Sequence, residues 1–167
     1  MTSRRALLIA ALGGPAGALL AGCAAPPRAA AGGPRWSGRL ALQVEGDAAR
    51  SFTAGFDLRG SPAAGALSLF TPVGGTAALI EWSAAGARLQ APGQPDRQAA
   101  SLDDLVAQAT GSPLPVAALF DWLAGRPAAA SGWQADLSQR AQGRLRARRL
   151  TPPAADLRLV LEEEQQP

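Results

Sequence analysis

The side chains that could carry out chemistry are few in this chain. It contains one cysteine, Cys23, and no histidine, lysine, tyrosine or asparagine. Without histidine, the Ser-His and Cys-His nucleophile systems and the commonest zinc ligand are excluded. Carboxylate pairs remain, but Asp103 and Asp104 stand at a predicted helix start, where acids suit the helix dipole, and Glu162 to Glu164 stand in a terminal tail. We therefore expect no enzyme, and with no phosphate-binding or metal motif we expect no cofactor.

Cys23 follows a segment typical of exported proteins. Arg4 and Arg5 precede an apolar run from Ala6 to Leu20, and its fifteen residues are fewer than the roughly 20 that span a bilayer. A basic start, a short apolar middle and small residues at its end predict a signal peptide over residues 1–22. Ser3-Arg4-Arg5 also resembles a twin-arginine export signal, which leaves the export route open.

The four residues Leu20-Ala21-Gly22-Cys23 resemble the bacterial lipobox. In that motif the cysteine thiol receives a diacylglyceryl group, and cleavage then leaves the cysteine as the acylated N-terminus. Lipidation of Cys23 would also account for a lone cysteine in an exported chain. Two or more acyl chains, such as palmitate, anchor a protein stably to a membrane. Ala24, where enterobacterial sorting rules place aspartate for inner-membrane retention, favours the outer membrane.

The basic balance of the chain does not indicate a nucleic-acid partner. Its formal charge is +3, but Arg4 and Arg5 leave with the signal peptide, and the mature charge is then +1. Proteins that bind phosphates need a concentrated positive field. The near-neutral mature chain argues against that class.

Alternating apolar and polar residues after Trp36 predict short strands joined by turns. The segment from Glu45 to Arg50 is predicted to be a turn. The predicted strands hold Leu40 to Val44, Phe52 to Leu58, Leu67 to Thr71, Thr76 to Trp82, Ala87 to Ala91, Trp133 to Leu137, Gly143 to Leu150 and Leu157 to Leu161. Consecutive short strands indicate an antiparallel meander.

Two amphipathic helices are predicted between the fifth and sixth strands. The first begins at Ser101, where Asp104 completes a capping-box pattern, and it closes at Gly111. The second carries an apolar stripe from Val116 to Leu123 and stops at Gly125. We therefore predict an α+β fold, a single antiparallel sheet curled into an open half-barrel and covered by two or three helices.

The domain division follows from these patterns. Residues 1–22 are the predicted signal peptide, and residues 23–35, rich in Ala, Pro and Gly, are an acylated N-terminus and flexible tether. Residues 36–162 form the half-barrel domain, and residues 163–167 form a polar tail.

From Trp36 onward the chain resembles the LolB family of outer-membrane lipoproteins. The resemblance lies in Trp36-Ser37-Gly38-Arg39-Leu40, the loop Thr71 to Thr76, the segment Gly111 to Pro115 leading into Leu119, Trp122, Leu123 and Gly125, and Gly132-Trp133-Gln134. It implies an unclosed antiparallel barrel capped by helices around an apolar cavity. It also implies a receptor that accepts acylated lipoproteins from a soluble periplasmic carrier, LolA, and inserts them into the outer membrane without a nucleotide. The expected partners are those lipoproteins, a LolA-like carrier and outer-membrane lipid, and we expect a monomer.

The stretch between Gly125 and Trp133 departs from the family pattern. Many members carry an extra strand there, whereas this chain has few residues. The strand count and one wall of the cavity are therefore open.

Two groups of site residues are predicted. By resemblance, Val73, between Pro72 and Gly74 at a turn tip, is expected to insert into the membrane; alternatively it tucks under the sheet edge. The acyl-cavity candidates are apolar, and the same side chains could simply form a packed core: Leu40, Leu42, Phe52, Phe56 and Leu119. Trp122 and Trp133 are expected in the core.

The sequence allows more than one interpretation of its arginine-rich strand and of its function. Arg144, Arg146 and Arg148 are expected on a solvated strand face, although they could instead meet headgroups or an acidic carrier surface. A structural lipoprotein with a closed core is one alternative function. An enzyme that uses carboxylates such as Asp57 or Asp121 is another.

Overall fold

The computed structural model describes residues 33–110 and 114–162. The predicted signal peptide, the lipidation site at Cys23, most of the tether, the helix stop at Gly111 and the tail 163–167 lie outside these residues. Within the described part of the chain, no helix is long and apolar enough to cross a membrane.

In the described part of the chain, nine antiparallel strands form one sheet. The strands are β1 (Arg35–Val44), β2 (Asp47–Gly60), β3 (Gly65–Phe70), β4 (Thr76–Ser83), β5 (Gly86–Gln90), β6 (Arg97–Ala99), β7 (Trp133–Asp136), β8 (Arg144–Arg149) and β9 (Ala155–Leu161). Their order across the sheet is β6-β5-β4-β3-β2-β1-β9-β8-β7. The last strand returns to pair with the first, so the meander is split by two helices and remains a single sheet. The predicted α+β half-barrel is confirmed.

The turn between β1 and β2 is shorter than predicted. The expected turn from Glu45 to Arg50 is wrong, because β2 already begins at Asp47, paired with Val44. Gly46 adopts a left-handed φ of 73°, which lets the chain reverse within two residues. The pairing of β1 with β2 is irregular between Leu42 and Val44. There the Ser51 Oγ takes the place of a backbone partner and accepts a 2.9 Å hydrogen bond from the Val44 backbone N–H.

One edge of the sheet differs from the sequence prediction, and the other decides the strand count that the sequence left open. Strand β6 was not predicted, because three residues are too few to show an alternating pattern. The segment becomes a strand because it forms backbone hydrogen bonds with β5. At the other edge, the described stretch between Gly125 and Trp133 holds no further strand, and its sole bridge joins Ala130 to Trp133. The sheet therefore ends at β7.

The helices α1 (Leu102–Thr110) and α2 (Val116–Leu123) cover the concave face of the sheet. At the start of α1, the Ser101 Oγ accepts a 3.1 Å hydrogen bond from the Asp104 backbone N–H and donates a 2.7 Å bond to its carboxylate. The α2 helix is apolar on most sides and is largely buried, as its composition requires. It ends at Leu123, and Gly125, two residues further on, has a left-handed φ of 77° that turns the chain away from the helix.

A short 3-10 helix, Arg140–Gln142, closes the end of α2. The Arg140 Nε donates a 2.7 Å hydrogen bond to the carbonyl of Leu123, one of the carbonyl groups that the last turn of a helix leaves without an intrahelical partner. Trp122 is 1% exposed, and its indole N–H donates a 3.0 Å bond to the Ala128 carbonyl. Trp122 and Trp133 are both buried, as predicted.

Candidate functional site: an apolar cavity and an exposed loop

A cavity of about 470 Å³ lies between the concave face of the sheet and the two helices. This volume is within the range of roughly 300–1,000 Å³ that is typical of ligand pockets. The side chains around it come from strands β1 to β6 and β9, from both helices and from the segments next to them, and among them only Gln94 and Arg97 are polar. The wall of the cavity is therefore almost entirely apolar.

The five predicted cavity candidates all lie on the cavity wall: Leu40, Leu42, Phe52, Phe56 and Leu119. The four candidates on strands point to the cavity because side chains alternate between the two faces of a sheet. Leu40 lies opposite Ala54, and Leu42 lies opposite Phe52, on the concave face. Leu42 and Phe56 are buried, whereas Phe52 is 40% exposed at the margin of the cavity. The contact of these side chains with acyl chains stays a prediction.

The cavity has two different ends. In an antiparallel meander, alternate connections lie at the same end of the sheet, so the turn 45–46 and the loops 71–75 and 91–96 share one end, here called the rim end. The turns 61–64 and 84–85 share the opposite, floor end. Phe52 and Gln94 lie near the rim end, where β2 begins and β5 is followed by its loop.

Three aromatic rings close the floor end. The Phe120 ring of α2 stands edge-on to Trp36 at a centroid distance of 5.7 Å and to Trp82 at 6.2 Å. The Trp82 indole N–H donates a 2.9 Å hydrogen bond to the Ser61 carbonyl in the floor-end turn, which fixes the ring. The floor end is therefore packed with aromatic rings, whereas the exposed lining residues Phe52 and Gln94 lie at the rim end.

The loop between β3 and β4 presents Val73 to solvent at the rim end. Val73 is 94% exposed, so the alternative in which it tucks under the sheet edge is wrong. The loop is fixed by Thr71, whose backbone carbonyl accepts a 2.9 Å bond from Gly74 N–H and whose Oγ1 accepts a 3.1 Å bond from Gly75 N–H. Pro72 and Gly74, with its φ of 89°, complete the tight reversal. An aliphatic side chain is thus held outward on a rigid tip.

Charged side chains occupy the convex face of β8 and β9. The Asp156 carboxylate contacts Arg146, Arg158 at 2.8 Å and Arg148 at 3.4 Å. Burial alone would raise the pKa of Asp156, but hydrogen bonds and charges from Arg146 and Arg158 outweigh it and lower the pKa below its ordinary value. Two of the three arginines predicted on this face are therefore held in an ion-pair cluster, and Arg144 is exposed.

The carboxylates considered for an enzyme do not converge. Asp57 lies on the convex face between buried Phe56 and Leu58 and contacts Arg35, with Arg59 3.9 Å away. Asp121 lies on α2, on the other side of the sheet, and contacts Arg126. Over residues 33–110 and 114–162, no cluster of three acidic, histidine or cysteine side chains could hold a metal ion.

Sequence reasoning missed Gln94 and Arg97 as cavity residues. Arg97 lies directly opposite Leu89, which in turn lies opposite Ile80, so all three share the concave face. The signal was absent from the sequence, because nothing in the segment between Ala91 and Ser101 indicates a strand or its facing.

The described residues thus define the class of protein: a small α+β half-barrel whose open antiparallel sheet is covered by two helices over an apolar cavity. The chain belongs to the LolB family: the model described as "Outer membrane lipoprotein LolB" matches residues 35–152.

Relatives named "Outer-membrane lipoprotein LolB" support the assignment. The protein of Ralstonia nicotianae is 39% identical over 111 residues, which cover 66% of this chain and 52% of that relative. That of Bordetella petrii is 37% identical, over 66% of this chain and 59% of the relative. That of Cupriavidus pinatubonensis is 42% identical over 79 residues, covering 47% of this chain and 37% of the relative. The chain thus spans about half the length of the relatives it matches.

Proposed function

We propose that this chain is an outer-membrane-anchored receptor that accepts acylated lipoproteins from a soluble periplasmic carrier and inserts them into the outer membrane. The observation that carries the proposal is the apolar cavity of about 470 Å³, open toward the end of the sheet that also bears Val73. Acyl chains could leave the cavity at the end where the exposed loop would enter lipid. The family name of the relatives fits this role.

The physical basis is transfer between apolar environments. A hydrocarbon chain that leaves a carrier for this cavity exchanges one apolar surrounding for another, so little free energy separates the two states. The same holds for its exit into the bilayer. No nucleotide is needed, and the partners we propose are acylated lipoproteins, a LolA-like carrier and outer-membrane lipid.

Anchoring belongs to the same proposal. We infer cleavage after residue 22, lipidation of Cys23 and a tether that runs to residue 35, with the half-barrel domain over 36–162 and a polar tail after it. The lipid anchor keeps the receptor at the membrane, and the tether gives the cavity room to turn toward the carrier and then toward the bilayer.

A closed scaffold is the less well supported alternative. A protein that only held a partner would gain stability by filling the cavity with larger side chains. An enzyme is also less well supported, because Asp57 and Asp121 lie on opposite sides of the sheet and each contacts arginine.

The test is a transfer assay with purified components. A LolA-like carrier loaded with a labelled triacylated lipoprotein is mixed with vesicles, with and without the full chain. We expect label to reach the vesicles only when the chain is present. Carrier that keeps its label in both mixtures, while the chain also fails to bind a fluorescent fatty-acid probe, would contradict the proposal and favour the scaffold.

A further inference from the structure

Among the described residues that line the cavity, a single one, Arg97, carries a positive charge. Arg97 stands on edge strand β6, opposite Leu89 of β5, and its side chain lines the cavity together with Gln94 from the preceding loop. Helix α1 packs over β5 and β6, so this position is where sheet and helix meet at the margin of the cavity.

The guanidinium of Arg97 makes no ion pair or hydrogen bond with another described residue. Its neighbour Arg88, on the opposite face of the same strand pair, behaves differently and is held by Asp96. Arg97 therefore presents its N–H donors at the margin of the cavity, and its aliphatic stem can lie along apolar surface.

From this placement we propose that Arg97, helped by Gln94, binds the ester and amide carbonyl oxygens of the acylated N-terminal cysteine of an incoming lipoprotein. This inference rests on the proposed function and identifies the part of the substrate that the apolar wall cannot recognise. Hydrocarbon tails fill the space between Leu42, Phe56 and Leu69, and the linkage oxygens stay at the boundary with water. Arginine suits this task because it offers five N–H donors and accepts no hydrogen bond.

A different explanation exists for an inward charge on an edge strand. Such charges prevent edge-to-edge association of sheets, and Arg97 could serve only this purpose. The two explanations differ in what glutamate would do at the same position. Glutamate keeps an inward charge at the edge but cannot donate a hydrogen bond to a carbonyl oxygen.

The experiment compares three ligands on the full chain and its variants Arg97→Met and Arg97→Glu. The ligands are a synthetic N-acyl-S-diacylglyceryl-cysteinyl peptide, a free fatty acid and a fluorescent alkyl probe without ester or amide groups. We expect both variants to bind the lipopeptide about tenfold more weakly, the equivalent of about 1.4 kcal/mol, and the alkyl probe as the original chain does. Arg144→Met, on the convex face, is the matched control and should bind all three normally.

The outcomes separate the proposed function from the role of Arg97. If the original chain binds none of the ligands, the proposed function fails. If it binds them and both Arg97 variants still bind the lipopeptide at full strength, only the role of Arg97 is overturned. That role is also overturned if the variants lose the fatty acid alone, which would mean recognition of a carboxylate. Self-association of Arg97→Met alone, with unchanged lipopeptide binding, would establish the edge explanation instead.

Discussion

At the scale of single residues, Val73 shows how a turn can hold an apolar side chain outward. The hydrogen bonds from Gly74 and Gly75 to Thr71 leave the valine no surface to pack against, which is why it is 94% exposed. Exposed aliphatic groups on a rigid tip lose water contact only by entering another apolar phase.

Changing Val73 to Glu should abolish delivery of lipoproteins into vesicles while leaving their uptake from the carrier intact. A charge at the tip opposes entry into the bilayer, and the fold should not change because the side chain has no packing partners. The measurement is label in the vesicles against label on the chain, with circular dichroism to check folding.

Val160→Glu is the matched control for this variant. Val160 is 53% exposed on the convex face of β9, so the same change there alters surface charge without touching the loop. Equal loss of delivery in both variants would contradict a specific role for the Val73 tip.

Asp156 offers a pH-dependent prediction on stability. Its carboxylate is held by three arginines, and its pKa is lowered, so the folded state is stabilised above the ordinary pKa of 3.8. That stabilisation is lost as the pH falls below 3.8 and through the lowered value of the folded state. Asp156→Asn should reduce the free energy of unfolding by about 1 kcal/mol at neutral pH.

Urea unfolding of the two proteins from pH 7 to pH 2.5 measures this difference. The two curves should approach each other as the pH falls below 3.8, where the unfolded chain begins to take up a proton at Asp156 and the stabilisation by the arginines declines. Asp121→Asn, which removes a carboxylate that contacts one arginine, Arg126, among the described residues, should cost less at neutral pH. A difference that stayed constant down to pH 2.5 would mean that charge is not the cause.

At the scale of the elements, the sheet and α2 pack tightly at the floor end and line the cavity elsewhere. The aromatic rings of Trp36, Trp82 and Phe120 fill the floor end, and Leu119, on the same helix as Phe120, faces the cavity. One helix therefore stabilises the fold with some side chains and lines the cavity with others.

Leu119→Trp should block the cavity at little cost in stability. Leu119 is only partly buried and borders empty space, so a larger side chain has room to fill. We expect binding of a fluorescent fatty-acid probe to fall at least tenfold, with the melting temperature nearly unchanged.

Trp122→Ala serves as the contrasting variant on the same helix. Trp122 is fully buried and does not line the cavity, so its removal should cost about 3–5 kcal/mol of unfolding free energy. Probe binding that survives Leu119→Trp would show that acyl chains do not occupy this space.

At the scale of the whole molecule, the start of β1, to which the proposed tether connects, and the loop that bears Val73 lie at opposite ends of the sheet. Strand β1 begins at Arg35, opposite Arg59 and next to the turn at Gly60, which is the floor end. Val73 lies at the rim end, about 20 Å or more away along the six residues of β3. A tether from Cys23 to Arg35 can extend to roughly 40 Å, enough to bridge that distance.

Deletion of residues 25–30 should therefore impair insertion in the lipidated protein. The shortened tether reaches only about 20 Å, so lipid at Cys23 and Val73 could no longer enter one bilayer together. Delivery of a labelled lipoprotein into vesicles measures the effect. Replacing residues 25–30 with glycine and serine, at unchanged length, should restore delivery; normal delivery by the deletion variant would mean that anchor and loop need not act together.

The sequence determined those features that depend on neighbouring residues. The alternating pattern predicted that Leu40, Leu42 and Phe56 lie on the same face of the sheet. Ser101 indicated where the first helix begins, and Gly125 indicated that the second helix ends just before it. These local signals were enough to predict the half-barrel. The turn tip at Val73 was predictable for the same reason, because a loop held by Thr71 is a local structure.

Only the tertiary structure decided what depends on distant pairing. Strand β6 exists because β5 offers it a hydrogen-bonding edge, and that pairing alone turns Arg97 toward the cavity. No pattern in the chain distinguishes apolar side chains that pack solidly from those that surround a space, since both bury the same kinds of residue. Whether a space remains between the sheet and the helices depends on how far apart they come to rest, and that is set by the sum of contacts such as Trp82 on Phe120.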